Sequence, residues 1–177
     1  GPMPSIDESI PFRPLNIGIL TVSDTRTLET DRSGDTLSQR ASQAGHAVVE
    51  RAIVSDDLDA IIGHLNDWVD RTDIDVILTT GGTGVTGRDV TPEAVHAVGD
   101  KPIPGFGELF RWLSFRIIGT STIQSRATAV VARGTYIFAC PGSPSACRDA
   151  WDGILRDQLD IRHRPCNFAQ LIPRLRE

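Results

Sequence analysis

Val76-Ile77-Leu78-Thr79-Thr80-Gly81-Gly82-Thr83-Gly84-Val85-Thr86-Gly87-Arg88-Asp89 is the stretch whose reading decides the fold. It opens as an apolar run suited to a buried strand and passes at once into four glycines, several hydroxyl side chains, an arginine and an aspartate. A core element therefore ends in a polar loop that exposes its backbone. In open α/β sheets such loops, at the carboxyl ends of strands, are where ligands bind, because exposed N–H groups and glycines let an anion approach closely.

On both sides of this stretch strand and helix patterns alternate. Upstream, Leu15 to Val22 is an apolar run ending in Ser23-Asp24-Thr25, and the polar segment from Arg26 to Asp35 reads as a mobile loop. A helix is predicted over Asp35 to Ala44, closed by Gly45, then a strand over Ala47 to Val54. Ser55-Asp56-Asp57 offers an N-cap to a helix running to Asp70, whose Leu58, Ile61, Ile62, Leu65 and Val69 form one apolar stripe. Strand, helix, strand units of this kind close right-handed and parallel, with helices covering the sheet.

Downstream, Thr91-Pro92-Glu93 starts a short helix, with Thr91 as N-cap and Pro92 as its first residue. Lys101 to Gly107 reads as a connector and Glu108 to Ile118 as a helix. Ala127 to Ala132 and Thr135 to Cys140 are two strands joined at Arg133-Gly134, a hairpin signal that places one antiparallel strand in the sheet. Pro141-Gly142-Ser143-Pro144 is a second strand-to-helix junction, and its helix runs to Leu159. The expected fold class is α/β, three layers, with helices on both faces of a mostly parallel mixed sheet. Residues 1–14, proline-rich, form an extended or disordered arm, of which Gly1-Pro2 ahead of Met3 reads as an expression scar; residues 15–177 form a single domain.

Composition narrows the function. A net charge of −5 counts against extended nucleic-acid binding, and no run is apolar and long enough to suggest a membrane span or a secretory leader, so a cytoplasmic protein is expected. Cys140, Cys147 and Cys166 lack the spacing of a disulfide framework or zinc knuckle, and the four histidines are not paired. Lys101 is the one lysine beside seventeen arginines, the side chain whose planar fork suits phosphate. A compositional bias explains that equally well.

Gly82 to Gly87 fits the dinucleotide fingerprint G-x-G-x-x-G, but the next helix starts too far on, at Thr91. The stretch also approaches a P-loop, with Arg88-Asp89 where the lysine and hydroxyl belong. Neither reading holds. The bland alternative is a turn that needs glycine only for positive φ. Asp56 and Asp89 each follow a strand at one sheet edge, where two carboxylates would share a magnesium ion held mainly by substrate phosphates. Acidic residues at a helix start are also commonplace.

Three motifs, Thr79-Thr80-Gly81-Gly82-Thr83-Gly84, Arg88-Asp89-Val90-Thr91-Pro92-Glu93 and Pro141-Gly142-Ser143-Pro144, together resemble the MoaB/MogA family of molybdenum cofactor biosynthesis, which includes the gephyrin G domain. Gly105 to Arg111, Ile118 to Arg126 and Arg164 to Phe168 are similar to its MoaB branch. The resemblance implies adenylyl transfer from Mg-ATP to the terminal phosphate of molybdopterin, releasing pyrophosphate. It implies that Asp56 and Asp89 are catalytic and hold Mg2+. Thr80, Gly81, Gly82, Thr83, Gly84, Pro141, Gly142 and Ser143 would bind nucleotide or phosphate, and Ser23, Asp24, Glu108, Ser125 and Arg126 the pterin. The implied partners are molybdopterin and ATP, with no nucleic acid and no membrane, in a homotrimer or trimer-based hexamer. Phe106, Phe110, Trp112, Leu113 and Phe115 are candidates for its interface. A non-catalytic pterin- or nucleotide-binding oligomer is the alternative within the same branch.

Overall fold

The computed structural model describes residues 3–177; Gly1-Pro2, read from the sequence as an expression scar, lie outside the described residues. In chain order the strands are β1 (Ser5–Ile6), β2 (Asn16–Val22), β3 (Ala47–Val54), β4 (Val76–Thr80), β5 (Lys101–Pro102), β6 (Thr128–Ala132), β7 (Thr135–Cys140) and β8 (His163–Arg164). The helices are α1 (Arg32–Gln43), α2 (Leu58–Val69), α3 (Thr91–Val98), α4 (Pro104–Ile118), α5 (Pro144–Ala150) and α6 (Arg156–Gln158), the last two joined through a π-turn over Trp151–Leu155. The sheet order is β3-β2-β4-β7-β6-β5, with β6 alone antiparallel to its neighbours.

The three-layer mixed α/β architecture expected from the sequence is present. Every residue of β4 and of β7 is buried, as strands covered on both faces must be. Ile19, Leu78 and Phe138 face Leu37, Phe110 and Trp151 on one side. Leu20, Ile77 and Ile137 face Ile61, Leu65 and Val95 on the other. The β6–β7 hairpin turns through Arg133 at φ 47° and Gly134 at φ 88°, the left-handed pair that a two-residue hairpin requires.

Several boundaries differ from the sequence reading, each for a tertiary reason. Helix α1 starts at Arg32 rather than Asp35, because Asp31, 2% exposed, caps it through Gly34 N–H while also accepting from Thr21 Oγ1 at 2.6 Å and pairing with Arg51. The supposed connector contains β5, whose Lys101 and Pro102 pair with Val131 and Val130, and α4 begins at Pro104. Phe106 and Phe110 belong to the core, whereas Trp112, Phe115, Ile117, Ile118 and Ile123 are exposed along α4 and the turn after it.

Residues 3–14 are tied down at β1, which pairs antiparallel with β8, and at Phe12, whose ring centre lies 5.2 Å from that of His46. His46 is buried and its Nδ1 accepts the Leu15 N–H at 3.0 Å, which requires that nitrogen to be unprotonated. Burial lowers its pKa from the ordinary 6.5, against the opposing pull of Asp160 and Asp75. The unfolded chain therefore takes up this proton more readily than the folded one. This contribution to stability is complete above about pH 6.5 and is lost as pH falls toward the lower folded value. Urea midpoints should decline over that window, and His46→Asn, which keeps an acceptor near the Nδ1 position, should flatten the decline.

Candidate functional site

Register sets the site. Thr21 of β2, Thr80 of β4 and Cys140 of β7 lie abreast, and Val22 pairs with Val54 of β3. The loops after these four parallel strands therefore leave the sheet at one edge: Ser23-Asp24, Ser55-Asp56, the glycine loop, and Pro141 to Ser143. Antiparallel β6 begins at that same edge, since Thr128 pairs with Ala139, which brings Ser125 and Arg126 there too. Strand β2 connects outward to β3, and β4 lies on its other flank. The crevice between β2 and β4 is thus the point where the strand order reverses, the usual ligand position in such sheets.

The glycine loop is a tightly determined turn. Gly81 has φ 102° and Gly82 φ 70°; a Cβ on Gly81 would lie 2.4 Å from the Val22 carbonyl oxygen, and one on Gly82 2.3 Å from Thr91 Oγ1. The Thr91 hydroxyl donates to the Gly81 carbonyl at 2.8 Å and its amide to that of Gly82 at 3.1 Å. Thr91 is thus the first residue of α3 and Val90 its N-cap, a correction to the sequence reading: the hydroxyl that would cap the helix is spent on the turn. Among the described residues, the amides of Gly82, Thr83, Gly142 and Ser143 donate to no acceptor outside regular elements, so they remain free to face an anion.

Asp89 closes the loop. Its Oδ2 accepts the Thr86 amide at 2.9 Å and the Thr86 hydroxyl at 2.8 Å, and a Cβ on Gly84 would fall 2.7 Å from that oxygen. Burial tends to raise its pKa, but the hydrogen bonds from Thr86, one from the Gly84 amide and the charge of Arg126 outweigh it and hold the carboxyl below its ordinary value. Asp89 is therefore anionic at neutral pH. The neighbouring carboxylates differ. Half-buried Asp56 has its pKa raised, first by desolvation and then by Asp24, with Asp89 adding to the effect and Arg88 opposing it. The Asp56 amide donates to Asp24 Oδ1 at 2.8 Å, and Asp24 forms an ion pair with Arg88.

Of the residues expected to bind nucleotide, Thr80 is fully buried and donates its hydroxyl to the Pro141 carbonyl at 2.7 Å, which ties the glycine loop to the β7–α5 junction. A Cβ on Gly142 would lie 3.3 Å from the Gly81 Cα, so these two loops touch. Thr83 is buried as well. Ser143 is exposed and caps α5 through the Ala146 amide. Of the residues expected to meet a pterin, Ser23 turns its hydroxyl toward the amides of Thr25 and Arg26, and Ser125 accepts weakly from the Ala127 amide. Glu108 is exposed near the start of α4.

Arg126 is a clamp. Its guanidinium donates to the carbonyls of Gly84 and Asp89 at 2.7 Å each and to Glu93 at 2.6 Å and 3.1 Å. Its amide donates to the Thr83 carbonyl at 2.8 Å. Arg126→Met should leave the sheet folded but release the loop, seen as faster hydrogen exchange at Gly84 to Asp89 and weaker anion binding. Unchanged exchange there would refute the clamp. Sequence reasoning missed the supporting side chains Thr86, Glu93, Thr91 and Asp31. Of these only Thr86, three residues before Asp89, carries a local signal.

Residues 18–161 match the family described as "Probable molybdopterin binding domain". Molybdenum cofactor biosynthesis protein B of Escherichia coli (strain K12) is 52% identical over 160 residues, covering 90% of this chain and 94% of that protein. A crystal structure of a molybdenum cofactor biosynthesis protein B superposes with a TM-score of 0.84 at 40% identity, covering 92% of this chain and 96% of the other. A solved structure of MogA superposes with a TM-score of 0.74 at 34% identity, covering 81% and 94%.

Proposed function

We infer the function from one premise: this chain belongs to the molybdopterin-binding domain family and, within it, is a relative of molybdenum cofactor biosynthesis protein B. Its role lies in molybdenum cofactor biosynthesis. The finer reading we propose is Mg-ATP-dependent adenylylation of molybdopterin, in which the terminal phosphate of the pterin attacks the α-phosphorus of ATP and pyrophosphate leaves. The observation that supports it is the strand register that brings Asp56, Asp89 and a glycine turn, whose Gly82 and Thr83 amides have no acceptor among the described residues, to one sheet edge.

The nucleophile is already an anion, so no general base is required; the barrier is the repulsion between two phosphates brought into line. Amides of Gly82 and Thr83, and those opposite at Gly142 and Ser143, would hold phosphate oxygens with fixed dipoles. Asp89, kept ionised by Thr86, and Asp56, whose charge is disfavoured by burial and by Asp24, would suit a divalent ion. Among the described residues no three His, Cys, Asp or Glu side chains are arranged to cage a metal, so such an ion would draw its remaining ligands from substrate phosphates and water. Bound there, magnesium supplies charge neutralisation at the transferring phosphate. Ser23, Asp24, Glu108, Ser125 and Arg126 are assigned to the pterin on the family resemblance.

The test is to supply Mg-ATP and molybdopterin and follow pyrophosphate. Release dependent on both substrates supports the reading. Tight pterin binding without release above background would replace it with the non-catalytic binder. The exposed apolar side chains Trp112, Phe115, Ile117 and Ile118 of α4 and Ile123 of the turn after it suit burial in self-association, proposed as a trimer or a trimer-based hexamer. A light-scattering mass equal to that of one chain would refute this.

A further inference from the structure

A charged network lies buried where α1 meets the sheet edge that carries the site. Asp31 accepts the Thr21 hydroxyl at 2.6 Å on one carboxylate oxygen and the Gly34 amide at 2.9 Å on the other. Arg51 of β3 donates to Asp31 at 3.2 Å and reaches Asp35 of α1 at 3.0 Å. The fit is close, since a Cβ on Gly34 would collide with both Asp31 and Thr21. Arg51 Nε is buried too and, among the described residues, has no hydrogen-bond partner. Desolvating such groups costs free energy, and apolar side chains in their place commonly leave a protein as stable or more so. Stability is therefore a poor account of this network. What it does is close the base of a loop. Thr21 and Asp31 are joined across ten positions of chain, and residues 24–30 between them are all exposed. Among the described residues, Thr25 to Thr30 hydrogen-bond only within residues 23–32. Beyond its base the loop is held by the Ser23 amide on the Val54 carbonyl at 2.9 Å and by Asp24, which accepts the Asp56 amide at 2.8 Å and pairs with Arg88.

We propose that Thr21, Asp31 and Arg51 are positioning residues for the pterin: by closing the base of the β2–α1 loop they hold Ser23 and Asp24 in the arrangement that receives it. The inference rests on the assignment of Ser23 and Asp24 to the pterin. The physical reason is conformational entropy. A compact loop whose ends are tied together has fewer arrangements to lose when a ligand settles on it, so binding proceeds without most of that ordering cost. The glycine loop hangs from β4 and is fixed by Thr91 and Arg126, none of which touches the network. Opening the base of the β2–α1 loop therefore weakens the pterin's hold and leaves the amides assigned to the nucleotide in place.

The test removes the network without leaving a buried charge unpaired. The full-length chain carries Thr21→Val, Asp31→Ser and Arg51→Met together, so that a serine hydroxyl still caps α1. Its urea midpoint should stay within about 0.5 M of the parent's. The dissociation constant for molybdopterin, followed by calorimetry, should rise about tenfold or more, and that for Mg-ATP should stay within about twofold. The amides of Ser23 and Asp56, which the loop holds, should exchange with solvent about tenfold faster. Thr21→Val alone keeps the side-chain shape and the charge pair but opens the base, and should weaken molybdopterin binding about threefold. It carries the test by itself if the triple variant does not fold. Molybdopterin affinity equal to the parent's overturns the proposal. Equal weakening toward molybdopterin and Mg-ATP also overturns it, being the mark of a generally loosened edge, and so does unchanged exchange at Ser23 and Asp56. Neither the calorimetry nor the exchange requires turnover, so absence of pyrophosphate release leaves their outcome unaffected and the two readings fail separately.

Discussion

Asp89→Asn is expected to reduce pyrophosphate release by about 10²- to 10³-fold while leaving the fold and its stability nearly unchanged. The expectation follows from how the two carboxylate oxygens are used. Oδ2 accepts from the Thr86 amide and hydroxyl, and an asparagine carbonyl oxygen can take both bonds. The turn that Asp89 closes with the Thr86 carbonyl is made by its backbone and is untouched. What disappears is the negative charge, held by the structure on a carboxyl whose pKa lies below the ordinary value. A group that helps to hold a divalent ion at the reacting phosphates loses its effect in the transition state, where charge is most concentrated. The result is read as kcat at saturating Mg-ATP, with circular dichroism and a urea midpoint as the check on folding. An unchanged rate would remove Asp89 from the reaction.

Gly81→Ala is expected to destabilise the protein by about 2–4 kcal/mol, or a fall of roughly 5–12 °C in melting temperature for a domain of this size. Two effects combine. Alanine at φ 102° is held in a conformation that L residues rarely adopt, and its Cβ would stand 2.4 Å from the Val22 carbonyl oxygen. That oxygen belongs to the core strand β2 and cannot give way as a flexible side chain would. Relief must come from the loop, which would swing away from β2 and pull the Gly82 and Thr83 amides off the ligand crevice. Stability and anion binding should therefore fall together. Gly87→Ala is the internal comparison, because nothing lies within 4 Å of a Cβ there and its φ is not positive. It should change stability by no more than about 0.5 kcal/mol. Equal losses at the two positions would mean that the glycines serve chain flexibility rather than the shape of one turn.

Much of the architecture was legible because it depends on near neighbours. The buried strand β4, the covering helix α2, whose stripe holds at Ile61, Leu65 and Val69 while Leu58 is exposed and Trp68 joins it, and the Arg133-Gly134 hairpin are written in residues a few positions apart. The extent of β3 agreed to the residue for the same reason. The start of α1 was not legible. A chain of polar and charged residues from Arg26 onward reads as loop until Asp31 is found buried, and Asp31 is buried only because Thr21 and Arg51 reach it from two strands. The short strand β5 was missed because its pairing with β6 is made across roughly thirty residues of chain. A proline in a two-residue strand gives no local warning of that partner.

The site divides along the same line. The sequence by itself determined that a strand read over 74–78, observed at 76–80, and one at 135–140 end in glycine- and proline-marked junctions, that Gly81 and Gly82 permit positive φ, and that carboxylates follow two strands. These are consequences of backbone sterics and side-chain period, which a residue carries wherever it stands. Only the tertiary structure decided what each polar group does. It spent the Thr91 hydroxyl on Gly81, bound Arg126 to Gly84, Asp89 and Glu93, and set Arg88 beside Asp24, sixty-four residues away in the chain. Hydrogen bonds and charges act over a few ångströms of space, and which groups share those ångströms is fixed by strand order and register. Strand order is in turn set by how the apolar faces cover one another, a property of the whole chain and of no single stretch of it.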